Sequence, residues 1–144
     1  MNVPGLRSPY EKIGGLVYFG RMLDKIRLHA MGSLPADYVT NLGGGFDGAC
    51  VRFLGVSYDD LVGQVKQGAN DEAALEWCFA RGRRATEDEM LVWNEFIRKR
   101  GWNDPASDRL KQRKAESGFA NRDEIQTLFD YIDADEGRPI RQQP

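Results

Sequence analysis

Apolar residues recur along this chain at helical rather than strand spacing. From about Gly15 to Met31, the residues Leu16, Phe19, Met22, Leu23, Ile26 and Ala30 form one stripe on a wheel of 3.6 residues per turn. Val17, Leu28 and Met31 fall on the other side, so this helix is expected near the middle of the fold, packed from two directions. Gly32 follows where a left-handed C-cap is wanted. Upstream, Ser8-Pro9-Tyr10-Glu11 has the order of a capping box with proline at the first helical position, and Gly14-Gly15 interrupts what it begins.

The punctuation continues downstream. Pro35 opens a short helix over 36–41, and the cluster Gly43-Gly44-Gly45 follows. Asp47 reads as the N-cap of a helix carrying Cys50, Val51, Phe53 and Leu54, which Gly55 ends. Ser57 starts the next, with Leu61, Val62 and Val65 inward and Gly68 as its stop. Asn70 or Asp71 caps another, with Leu75, Cys78 and Phe79 inward and Gly82 closing it. Thr86-Glu87-Asp88-Glu89 is a second capping box. Met90, Trp93, Phe96 and Ile97 then recur up to Gly101, and Trp102 is expected to fold back on Ile97. Asp104-Pro105 begins a more polar helix ending near Gly118. Asn121-Arg122-Asp123-Glu124 opens the last, with Ile125, Leu128, Phe129 and Ile132 on its buried face. The pattern predicts an all-α fold, a single irregular helical domain of about seven helices spanning 1–144, two or three of them short. Residues 1–7 and 137–144 are expected to fray.

Composition fits this picture. The 144 residues, 41% of them apolar, suffice for one domain that folds without metal or disulfide. Cys50 and Cys78 both sit in apolar helical patterns and read as buried, reduced thiols. No signal peptide opens the chain and no stretch approaches a membrane span, so a soluble cytoplasmic protein with no membrane partner is expected. Net charge is −2, which argues against a nucleic-acid partner. The charge is uneven: residues 81–114 hold ten Arg or Lys against six acids, and residues 115–144 hold three against seven. Neutralisation of the basic stretch by the acidic one within the molecule is the simplest expectation. Arg81, Arg83, Arg84 and the run Arg98-Lys99-Arg100 come with no clearly exposed aromatic to stack on bases.

Four constellations bear on chemistry. Gly43-Gly44-Gly45-Phe46-Asp47-Gly48 matches the dinucleotide fingerprint letter for letter, but no strand precedes it and no βαβ unit surrounds it. What remains is either a tight reversal, or a glycine loop (Gly43, Gly44, Gly45) feeding a helix N-terminus with Arg52 one turn inside, suited to an anion. The central helix carries Arg21, Asp24, Lys25, Arg27 and His29. Arg21, Asp24 and Arg27 are spaced so that one carboxylate faces two guanidiniums. On a helix packed from two sides these groups form either an internal ion-pair network or a ligand site. His29, the only histidine, with Asp24 or Asp37 is the candidate acid–base set of the enzyme reading, and Cys50 with His29 is a further nucleophile pair to weigh. Metal is not expected: there is no His or Cys spacing for it, and Asp133, Asp135 and Glu136 lack a calcium-loop pattern. No cofactor is implied.

The segments GLRSPYEKIGGLVYFGRMLDKIRLHA, LPADY, NLGGGFDG, EWCFARGRR, VWNEFIRKRGW and RDEIQTLFDYIDADEGR, from Gly5 to about Arg138, resemble a bacterial family known as domain of unknown function 5069. The resemblance implies a small, free-standing, helical bacterial protein and supplies no activity and no site residues. The functional expectation is a non-catalytic module that binds a small anionic ligand or a protein partner, with Arg21, Arg27, Gly43, Gly44, Gly45 and Arg52 as candidate ligand contacts. The alternative is a small enzyme built on His29.

Overall fold

Gly14 and Gly15 both adopt positive φ, 56° and 87°, the requirement of a two-residue hairpin turn. The computed structural model, which describes residues 1–141, accordingly places an antiparallel hairpin here, β1 (Lys12–Ile13) and β2 (Leu16–Val17), with Lys12 opposite Val17 and Ile13 opposite Leu16. This corrects the expectation of helix on both sides of the glycine pair. The capping-box order at Ser8–Glu11 closes only a turn, in which Tyr10 N–H donates to Ser8 Oγ.

The central helix therefore begins later than expected, as α1 (Phe19–Ala30), but it is packed as predicted: every residue from Phe19 to Ile26 is buried. Gly32, with φ 72°, turns the chain out of it. Six further elements follow largely where caps and glycines placed them: α2 (Ala36–Val39), α3 (Gly45–Leu54), α4 (Tyr58–Lys66), α5 (Asp71–Arg81), α6 (Glu87–Ile97) and α7 (Ser107–Glu116). Ser57 and Asn70 cap α4 and α5, and both halves of the Thr86/Glu89 capping box form at α6.

Three further corrections follow. Helix α8 (Leu128–Asp135) is capped by Thr127, whose hydroxyl accepts from Asp130 N–H, so it begins well after Asn121. Trp102 stays 57% exposed instead of folding onto Ile97. Residues 1–7, expected to fray, are held instead: Val3 and Leu6 pack with Leu28 and Leu34, and Arg7 is tied by Asp24 and Asp71. Within the other expected frayed end, Arg138 pairs with Asp133 and Glu136, and residues 142–144 lie outside the described ones.

The described residues form one predominantly helical domain with eight helices. Its main core gathers Phe19, Met22 and Leu23 of α1, Leu54 of α3, Leu61 of α4, Cys78 of α5, Ile97 of α6 and Phe129 of α8. Helix α6 also seals the hairpin edge: Asn94 Oδ1 accepts from Val17 N–H at 3.0 Å, while its Nδ2 donates to the Gly15 carbonyl at 2.8 Å. The end of α5 docks on the end of α3 so closely that a Cβ on Gly82 would lie 2.0 Å from the Leu54 carbonyl oxygen. Glycine is required there by contact, not only as a helix stop.

Candidate functional site

Helices α1, α2, α3, α6, α7 and α8 leave between them a groove of about 970 Å³. Its floor is α1. Because α1 is buried throughout from Phe19 to Ile26, its charged residues Arg21, Asp24 and Lys25 are buried, and a buried charge must be paired to be tolerated.

Each finds its partner far along the chain. Arg21 makes a bidentate pair with Glu136, at 2.8 and 2.7 Å, and Tyr38 OH donates to the same carboxylate at 2.8 Å. Lys25 Nζ lies 2.9 Å from Asp47 Oδ1. Tyr18 OH donates to that oxygen at 2.6 Å, and Gly43 N–H donates to the other at 3.1 Å. Asp47 is thus not the N-cap expected of it. Gly44 holds that position, and Asp47, fully buried in the first turn of α3, reaches back to pin the glycine loop. Tyr18 carries a positive φ of 74°, a strained conformation for an aromatic residue that its surroundings must over-determine. Asp24 faces away from this pair of clusters, accepting from Arg7 at 2.8 Å and lying 3.6 Å from Arg27, which also meets Asp71 at 2.9 Å. Asp24 and Arg27 thus belong to an internal ion-pair network.

The groove brings together Arg21, Lys25, Asp37, Gly44, Gly45 and Arg52, with Gly43 just behind through Asp47. It does not take in Arg27, Asp24 or His29. His29 is exposed near the end of α1 and makes no side-chain hydrogen bond or ion pair with the other described residues. Neither Asp24 nor Asp37 is brought to it.

Sequence reasoning missed Tyr18, Tyr38, Asp47 as a partner of Lys25, and Glu136 as a partner of Arg21. It also missed Arg109 and Arg113, one helical turn apart on α7, which line the groove with Arg52. Those three arginines make no ion pair or side-chain hydrogen bond among the described residues. Asp37, Glu116 and Asp135 line it too. The groove is therefore not a uniformly positive basin, and any preference for an acidic group comes from the guanidinium forks themselves. The expected neutralisation of the basic stretch takes another course: Glu136 and Asp133 pair with Arg21 and Arg138, while Arg100 and Lys99 pair with their near neighbours Asp104 and Glu95.

Burial pushes the thiol of Cys50 well up from its ordinary range and that of Cys78 up to about 12. Both are therefore expected to react slowly with a thiol reagent in native buffer and quickly in denaturant; rapid native labelling of Cys50 would overturn this. No group of three or more potential ligands among the described residues is placed to hold a metal, and no described helix is long and apolar enough to cross a membrane. A family model described as Domain of unknown function (DUF5069) matches residues 3–138. No curated protein matches the chain.

Proposed function

We propose a function for this chain, which belongs to the DUF5069 family, from its groove: it binds a small ligand bearing a phosphate or carboxylate group there, as a binding protein. The observation that carries the reading is Arg52, Arg109 and Arg113, three guanidiniums from two helices lining one concave site and unpaired among the described residues. Paired cations at the floor, Arg21 and Lys25, give it a charged base held in place by Glu136 and Asp47. Tyr38, Phe46, Phe96 and Tyr131 supply aromatic surface for the ligand body, as small-molecule sites commonly do. The glycine loop adds the N-terminal end of α3, where the helix dipole favours negative charge.

The test is a comparison of phosphate with chloride at matched ionic strength. A ligand that binds only the folded state at a hundred times its Kd stabilises by about 2.7 kcal/mol, a readily measured rise in Tm. Phosphate should raise the wild-type Tm over chloride, and Arg109→Ala with Arg113→Ala should abolish the difference. Arg27→Ala, outside the groove, should retain it. Equal Tm values in both salts would remove the reading.

A further inference from the structure

Lys25 sits at the groove floor in an unusual enclosure. Only 9% of its side chain is exposed, yet it lines the groove. Its ammonium has three donors, and it pairs with Asp47 among the described residues. The Tyr18 ring lies 5.7 Å from Nζ at its centroid, and Asp47 behind it is fully buried. Among the described residues, Lys25, the Tyr18 hydroxyl and the Gly43 amide fix the Asp47 carboxylate. Tyr18 and Lys25 both reach the groove, and of the two Lys25 is the amine. Burial draws its ammonium below the ordinary lysine range, against the opposing pull of Asp47. Buried lysines of this kind are the ones that form imines.

We propose that Lys25 is a nucleophilic amine that captures the carbonyl carbon of a small aldehyde or keto acid bound in the groove. The proposal rests on the acid-binding reading of the groove and names the substrate class for it. Asp47 accepts one proton from Nζ. The freed lone pair then forms the N–C bond as the carbonyl π pair moves to oxygen. A second proton passes from nitrogen to that oxygen, Asp47 returns the first, and water leaves. The ammonium and carbonyl have become a protonated imine and one water, with no oxidant or reductant consumed. A structural ion pair would share the same distances but not the reactivity, and that difference is measurable.

The native protein is incubated with glyoxylate and cyanoborohydride, which reduces any imine to a stable carboxymethyl-lysine, and each lysine is followed by peptide mass spectrometry. Lys25 should be labelled roughly tenfold faster than the exposed Lys12, Lys66, Lys99 and Lys111, inorganic phosphate should slow it, and denaturant should erase its advantage. Surface lysines reacting ahead of Lys25 would overturn the proposal, even where phosphate still raises Tm and the binding reading stands. Fast labelling of Lys25 that phosphate leaves unchanged would support the amine, and would count against the anion-binding reading instead.

Discussion

Glu136→Ala is expected to cost about 3–5 kcal/mol of folding stability, the usual loss when one partner of a buried ion pair is removed. Glu136 holds Arg21 through two parallel hydrogen bonds, with side-chain exposures of 5% for Arg21 and 1% for Glu136. It also accepts from Tyr38 OH and from Arg138 at 2.7 Å. Without it, Arg21 keeps only the Arg7 carbonyl at 3.1 Å among the described residues, and a guanidinium is left buried on the central helix. The pair therefore imposes a pH dependence. Burial pushes the Glu136 carboxyl up, but Arg21, Arg138 and Tyr38 together hold it net below its ordinary range. A carboxylate depressed in the folded state contributes stability that is present above the unfolded value, about 4.3, and is lost as pH falls through the lower folded one. Wild type should thus lose stability more steeply than Glu136→Gln on acidification below about pH 4. Urea unfolding of both at pH 7 and along the acid limb checks this; a loss below about 1 kcal/mol for Glu136→Ala would contradict a buried pair.

Asp47→Ala should be of the same size, about 3–5 kcal/mol, for a related reason with a distinct signature. Asp47 is completely buried and satisfies Lys25, Tyr18 and Gly43 at once. Its removal strands an ammonium, a phenol and a backbone N–H, and it releases the hydroxyl that anchors Tyr18 in its strained conformation. Most of the loss comes from the stranded ammonium, so removing that charge too should recover part of it. The double variant Asp47→Ala, Lys25→Met is expected to be more stable than Asp47→Ala alone. Additive losses would mean that Lys25 and Asp47 are not energetically coupled.

Much of the architecture was legible in the residue order, because its causes are local. A capping box needs Thr86 and Glu89 only three residues apart, and both of its hydrogen bonds form. Ser57 and Asn70 likewise act on donors within one turn. The stripe of Phe19 to Ile26 marked a helix packed from two sides because periodicity and burial are the same signal, whereas Leu16, read into the same stripe, belongs to β2. Local signals failed where two local outcomes compete. Gly14-Gly15 serves an interrupted helix or a two-residue hairpin equally well, and Asn94, arriving from α6, satisfies the hairpin edge. Asn121 to Glu124 carries capping residues, yet α8 starts at Leu128, where Leu128 N–H is taken by the Arg100 carbonyl.

The polar set on α1 divides along the same line. From the sequence, Arg21, Asp24 and Arg27 were one group, since their spacing lets one carboxylate face two cations on a single helix surface. In the folded molecule they serve different ends: Asp24 and Arg27 bind Arg7 and Asp71, while Arg21 and Lys25 turn to the groove. The sequence by itself determined that these charges lie on a buried helix and so need partners. The tertiary structure alone decided which partners, because Glu136 is 115 residues from Arg21 and Asp47 reaches Lys25 from another helix. Helices and caps are closed by bonds a few residues long, so neighbouring side chains are enough to specify them. The groove is made of side chains from six helices, and which of them converge depends on how the whole core packs.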